Sequence, residues 1–165
     1  MRRVIKVGLG VVLALALFAG GWFAGRLGIG SVVEPASLSD AERQFSERMR
    51  NVRLVGTFTV TGREDRTPRE DGYEIESVEK VGDELWRFNA KVGLRGGTAV
   101  IPVVVPMRWV GDTPMIMMTR TGVPGMSGTF TVRLFFYGDR YSGTWQHDGV
   151  GGGNMSGRIE QRPGG

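Results

Sequence analysis

The sequence predicts an all-β fold: an eight-stranded antiparallel up-and-down β-barrel with one short N-terminal helix, preceded by a transmembrane helix. Two observations predict the barrel. From Asn51 onward, apolar and polar residues alternate with the period of two that is typical of half-buried strands. The pair Gly-Asp also occurs three times between apolar runs, at Gly82, Gly111 and Gly138. Glycine tolerates the positive φ of a tight hairpin turn, so each pair predicts a hairpin.

The N-terminal segment, residues 1–25, predicts a membrane anchor. Val7 to Gly25 carries no charge and is just long enough to cross a bilayer as a helix. Basic residues precede it, which predicts a cytoplasmic N-terminus and an exported C-terminal domain. A cleaved signal peptide is the alternative. We therefore expect a single-pass protein of the cytoplasmic membrane with its domain in the periplasm or outside the cell, or a secreted protein if the segment is cleaved.

Charge and cysteine content exclude several classes of function. The formal net charge is +4, but the excess of basic residues lies within residues 1–30 and the remainder is balanced. Because no basic run could follow a phosphate backbone, we expect no nucleic-acid partner. The chain has no cysteine, which excludes disulfides, thiolate metal sites and a cysteine nucleophile.

Residues 26–38 are expected to form a linker before the folded domain, residues 39–161, and residues 162–165 a disordered tail. Ser39 and Glu42 have the spacing of a capping box, which predicts a helix from about Asp40 to Arg50. Its apolar stripe is narrow and the helix is short, so it must dock on another element to be stable.

The strands follow as hairpins. Residues 52–61 and 73–81 are predicted as the first pair, joined by the charged loop Gly62–Gly72. Each Gly-Asp pair then begins a unit of turn, strand, glycine-containing loop and strand, which brings the total to eight strands. A meander of this kind closes most economically into a barrel, because closure leaves no edge strand. Pro102 and Pro106 predict a bulge or bend, since proline cannot donate to a ladder.

In an up-and-down barrel, alternate connections lie at opposite ends. All Gly-Asp turns therefore fall at one end, where the helix can close the barrel, and the longer loops surround a mouth at the other end. An eight-stranded barrel is either packed solid or holds one small ligand. The side chains expected to contact a ligand are aromatic, methionine and histidine residues predicted to face inward: Phe58, Trp86, Phe88, Met115, Met117, Phe130, Phe136, Trp145 and His147.

No catalytic, metal or cofactor site is predicted. His147 and Asp148 are the only candidate acid–base pair around a histidine, but consecutive strand residues point to opposite faces. The glycine run that follows does not open a helix and so predicts a turn, not a phosphate loop. Carboxylates in the Gly62–Gly72 loop alternate with arginines, which favours a solvated loop over a calcium site.

The architecture resembles the lipocalins and the wider calycin barrels. Gly56-Thr57-Phe58 is similar to the Gly-x-Trp of their first strand, with phenylalanine in place of tryptophan, and Arg158 matches the arginine that covers that aromatic near the closed end. The resemblance implies an eight-stranded barrel that binds a small apolar ligand. The tail from Gly143 to Ile159 also resembles small exported proteins of planctomycete-type bacteria, which implies no particular activity.

The sequence therefore predicts a membrane-tethered, exported, non-enzymatic binder of a small apolar or lipidic molecule. The alternative is a structural or protein-partner-binding protein of the cell envelope with a filled barrel. An outer-membrane barrel is disfavoured, because the chain ends without a terminal aromatic and the polar strand faces carry Arg87, Lys91 and Arg133.

Overall fold

The computed structural model describes residues 31–61, 69–94, 97–122, 128–149 and 151–162. They form a closed barrel of eight antiparallel strands in sequence order, with the last strand paired to the first. The strands are β1 Val52–Phe58, β2 Arg69–Lys80, β3 Leu85–Leu94, β4 Gly97–Val110, β5 Thr113–Gly122, β6 Thr129–Tyr137, β7 Arg140–His147 and β8 Gly151–Gln161. The predicted eight-stranded antiparallel barrel is confirmed.

The predicted membrane segment, residues 7–25, lies outside the described residues and stays a prediction. Within the part of the chain that is described, neither helix has the length and continuous apolar character that a bilayer crossing requires. The predicted linker is described from Ser31 onward. It contains a 3₁₀ turn, Pro35–Ser37, and the amide of Val33 donates to the carbonyl of Lys80 at the end of β2.

The helix α1, Asp40–Arg48, begins at the predicted capping box. The amide of Glu42 donates to the Ser39 hydroxyl at 3.3 Å, and the amide of Ser39 donates to the Glu42 carboxylate at 2.9 Å. These bonds satisfy amides that the first helical turn cannot pair internally. After the helix, Asn51 adopts a positive φ and leads the chain directly into β1.

One end of the barrel is closed by α1, as predicted. Phe45 on its inner face and Met49, the residue that follows the helix, are fully buried. The Phe45 ring packs edge-on against Trp86 and Trp109, each with a centroid distance of 5.8 Å, and lies 5.5 Å from Phe136. Burying a phenylalanine stabilises the fold by about 1.5–3 kcal/mol, and such ring pairs add to this.

The Gly-Asp pairs lie at this closed end. Gly111 and Gly138 have φ values of 62° and 55°, so both are the tight turns that the sequence predicts. The connection at Gly82 is longer: it spans residues 81–84, and the amide of Val81 donates to the carbonyl of Leu85 at 2.8 Å.

The proline-containing strand differs from the prediction. Pro102 and Pro106 lie within β4 and keep an unbroken register of ten pairs with β3, so neither marks a bulge there. Among the described residues, β4 pairs with β5 only from Met107 to Val110. Both prolines therefore occupy the part of β4 that has no β5 partner, where a missing N–H costs no ladder bond. The observed bulges fall in β2 and β5 instead.

Candidate functional site

The described residues line a cavity of about 110 Å³ inside the barrel. Its wall is wholly apolar. The wall is formed by side chains that point inward from all eight strands: Leu54, Tyr73, Ile75, Phe88, Ala90, Val103, Val105, Ile116, Met118, Val132, Leu134, Phe136, Trp145 and Met155. These positions follow the alternation of each strand, because every second residue faces the barrel axis.

The aromatic cluster at the closed end forms the floor of the cavity. Phe88 and Phe136 stack with a centroid distance of 6.2 Å and contribute to the wall. Phe136 in turn packs on Phe45 of α1. The helix therefore supports the floor directly, and its docking fixes the lower limit of the cavity.

His147 and Phe130 lie toward the opposite end, beyond the cavity wall. His147 is the last residue of β7 and is only 5% exposed, and its ring lies 4.2 Å from that of Phe130. Next to them, the Thr129 hydroxyl donates to the Asp148 carboxylate. The predicted mouth loops fall largely on residues 62–68, 95–96, 123–127 and 150, which lie outside the described residues.

The volume of the cavity limits what it can hold. Sites for drug-sized ligands measure about 300–1,000 Å³. In another protein, a dry apolar cavity of about 150 Å³ binds benzene or xenon. At about 110 Å³, this cavity fits a compact apolar molecule of that class better than an extended lipid chain.

Of the nine predicted ligand contacts, Phe88, Phe136 and Trp145 line the cavity. Trp86 is buried below it in the aromatic cluster at α1. Phe58 shares the inward phase of Leu54 but ends β1 as a half-buried residue outside the cavity wall.

The inward orientation predicted for Met115 and Met117 is wrong. The cavity is lined by Ile116 and Met118, which pair in register with Leu134 and Val132. Since successive strand residues point to opposite faces, Met115 and Met117 lie on the outer face.

All four residues from Met115 to Met118 are apolar, so the sequence of β5 alone does not show which of its two faces points inward. The register with β6 identifies Met118 as inward-facing, because it pairs with the inward-facing Val132. Met155 was also missed, because β8 is rich in glycine and its alternation is weak.

The detailed match to calycin barrels is not borne out. Phe58 ends β1 on the side away from α1, whereas the family places its aromatic near the closed end. Arg158 is exposed on the outer face, pairs in register with Val55 and lies 3.6 Å from Glu160. It therefore does not cover Phe58, whose register partner in β8 is Met155.

The closed eight-stranded barrel is compatible with a lipocalin-like fold. No protein-family model, no curated protein and no solved structure matches the chain. The architecture and the cavity are thus the observations on which a function can be argued.

Metal binding has no support within the described ranges, where no three histidine or carboxylate side chains come together. The predicted calcium alternative involved the Gly62–Gly72 loop, most of which lies outside those ranges. The wall of the cavity offers no polar group to a ligand, so recognition there would depend on shape and apolar contact.

Proposed function

We propose that the protein is a non-enzymatic binder of a small apolar molecule, which it holds inside the barrel. The observation that carries this proposal is the wholly apolar cavity of about 110 Å³. Met118 and Met155 support it further, because the flexible, polarisable methionine side chain adapts to irregular apolar ligands. The predicted anchor at residues 7–25 would hold this binder at the outer face of the cytoplasmic membrane.

The cavity size narrows the class of ligand. A compact ring or a short branched hydrocarbon suits a volume of about 110 Å³, whereas a long acyl chain would have to extend well beyond the wall. We therefore include volatile or compact hydrophobic molecules in the proposal and exclude long-chain fatty acids as ligands held entirely within this cavity.

The test is a calorimetric titration of the full chain with benzene and, separately, with palmitate. Benzene should bind with a negative heat-capacity change, the robust sign of apolar burial. Palmitate should give no saturable signal. Ala90 lines the cavity, so Ala90→Leu should fill part of it and abolish the benzene signal.

The matched control is Lys91→Leu, which adds the same side chain at the adjacent position on the opposite face. Unchanged benzene binding in Lys91→Leu and loss in Ala90→Leu would locate the ligand inside the barrel. If neither ligand bound the unsubstituted chain, the filled-barrel alternative, a structural or partner-binding envelope protein, would replace this proposal.

A further inference from the structure

A second concave surface lies on the outside of the barrel. This groove, about 920 Å³ in volume, crosses the outer wall from β6 through β7, β8 and β1 to β2. Its described lining residues include three arginines, Arg53, Arg140 and Arg158, and no carboxylate. Arg140 and Arg158 are register partners on β7 and β8, so their side chains stand next to each other.

Two glycines allow the strands of this wall to approach closely. Gly56 and Gly157 lie opposite each other in β1 and β8 and both line the groove. A β-carbon at either position would fall within 3.0 Å of the backbone of the adjacent strand. The two strands therefore approach more closely than residues with side chains would permit.

The remaining lining residues supply hydroxyls and aromatic faces. Ser142, Ser156 and Thr57 are aligned across β7, β8 and β1, which places three hydroxyl groups in one row. At the β6 side, Phe135 and Tyr137 are 40% and 68% exposed. Large aromatic rings that stay accessible beside cations and hydroxyls are suited to stacking on a ligand rather than to packing in a core.

The guanidinium groups of Arg140 and Arg158 form only weak ion pairs within the protein. The Arg140 guanidinium lies 3.9 Å from the Asp139 carboxylate, and the Arg158 guanidinium lies 3.6 Å from the Glu160 carboxylate. All four side chains are solvent-exposed. Exposed pairs of this kind contribute about 0–1 kcal/mol. The Arg53 guanidinium lies against Gly72.

We propose that this groove binds an anionic saccharide, a short oligosaccharide chain that carries carboxylate groups. Guanidinium groups bind carboxylates through paired, charge-assisted hydrogen bonds. The hydroxyl row matches the many donors and acceptors of a sugar, and the aromatic faces match its apolar C–H face. This site goes beyond the proposed interior ligand and does not depend on it.

The experiment titrates the full chain with tetragalacturonate, with the neutral tetrasaccharide maltotetraose, and with acetate as a free carboxylate. Tetragalacturonate should bind, and its affinity should fall by at least about tenfold in the double variant Arg140→Gln/Arg158→Gln. Arg108→Gln is the control for charge, because Arg108 is exposed on β4 outside the groove lining and its loss should change affinity less than about twofold. Tyr137→Ala should weaken binding independently, because it removes a stacking surface.

Four outcomes would overturn the proposal. No binding of tetragalacturonate is the simplest. If Arg108→Gln and the double variant lost the same affinity for tetragalacturonate, the binding would be a non-specific effect of positive charge. If maltotetraose bound with the same affinity as tetragalacturonate, the arginines would have no role in recognition. If acetate bound as tightly as tetragalacturonate and lost the same affinity in the double variant, the groove would be a simple anion site. All substituted side chains are exposed, so unchanged melting temperatures should accompany each result.

Discussion

The hydroxyl oxygen of Tyr141 lies 2.7 Å from the point that a β-carbon at Gly157 would occupy. The two residues are register partners on β7 and β8, and the same hydroxyl lies 2.5 Å from the corresponding point at Gly56 on β1. Tyr141 is buried in the barrel core. It therefore covers two glycines from inside the barrel, and all three residues are also part of the wall that lines the groove.

The close approach at Gly157 makes alanine costly there. In Gly157→Ala the new methyl would collide with the Val55 carbonyl and the Tyr141 hydroxyl. We expect a loss of about 3 kcal/mol in the free energy of unfolding, because overpacking forces the backbone to shift. Urea denaturation of the full chain measures it.

Gly138→Ala provides the comparison. Its β-carbon would have nothing within 4 Å, so the only cost is a φ of 55°, about 1–2 kcal/mol. If the two variants lost the same stability, strand proximity at Gly157 would not be the cause.

The helix that closes the barrel depends on Phe45. Truncation in Phe45→Ala would remove a ring that is 1% exposed and packs on three aromatic residues. We expect a loss of about 3–5 kcal/mol in unfolding free energy, measured by denaturant titration. The neighbouring exposed Gln44→Ala should change it by less than about 0.5 kcal/mol. A small effect of Phe45→Ala would show that α1 is not required to close the barrel.

The ion pair between Lys80 and Glu42 predicts a pH dependence of stability. The Lys80 ammonium donates to the Glu42 carboxylate at 2.6 Å and joins β2 to α1. Burial raises the pKa of Glu42, but hydrogen bonds from Lys80 and Ser39, together with the charge of Lys80, outweigh it, so the pKa lies below its ordinary value.

A carboxyl group whose pKa is lowered by folding stabilises the protein above its unfolded pKa, and this contribution is lost as the pH falls through the folded pKa. We therefore expect Glu42→Gln to be less stable than the unsubstituted chain by about 1 kcal/mol at neutral pH and equally stable in acid, well below pH 4. Glutamine retains the capping box, so the difference reports the charge.

Thermal unfolding between pH 3 and pH 7 checks this prediction. Glu47→Gln serves as the control, because Glu47 is exposed on the same helix and forms no ion pair among the described residues. A deficit in Glu42→Gln that persisted unchanged in acid would contradict an origin in the charge.

The orientation of β5 can be tested by two adjacent methionines. Met118 is 8% exposed and lines the cavity, whereas Met117 lies on the outer face. We expect Met118→Ala to lower the unfolding free energy by about 2–4 kcal/mol and Met117→Ala by less than about 1 kcal/mol. Met118→Ala should also enlarge the cavity enough to admit naphthalene, which calorimetry would detect. The reverse order of the two losses would mean that β5 has the opposite phase.

Much of the fold follows from local patterns. The Ser39–Glu42 spacing determined where α1 begins, and the alternation around Trp86 and Phe136 correctly oriented β3 and β6. Each of these signals depends on residues that are close in sequence, which is why they could be interpreted without a structure.

The candidate sites were less predictable, since they depend on how strands pair. The phase of β5 is fixed by its register with β6, because its own residues are apolar on both faces. The close approach of β1 and β8 at the groove depends on Gly56 meeting Gly157, two residues that are far apart in sequence and have no side chain to mark them. The resemblance to calycin barrels predicted that Arg158 covers Phe58. Its position on the outer face follows only from its register with Val55 in β1.

The most direct test of an interior apolar site is to titrate the full chain with benzene and follow the methionine ε-methyl groups by NMR. Met118 and Met155 line the cavity, and Met115 and Met117 on the outer face provide internal controls. Saturable chemical-shift changes at Met118 and Met155, with Met115 and Met117 unaffected, are the predicted result. Changes confined to the outer methionines, or no saturable change at Met118 and Met155, would contradict the proposed binding function.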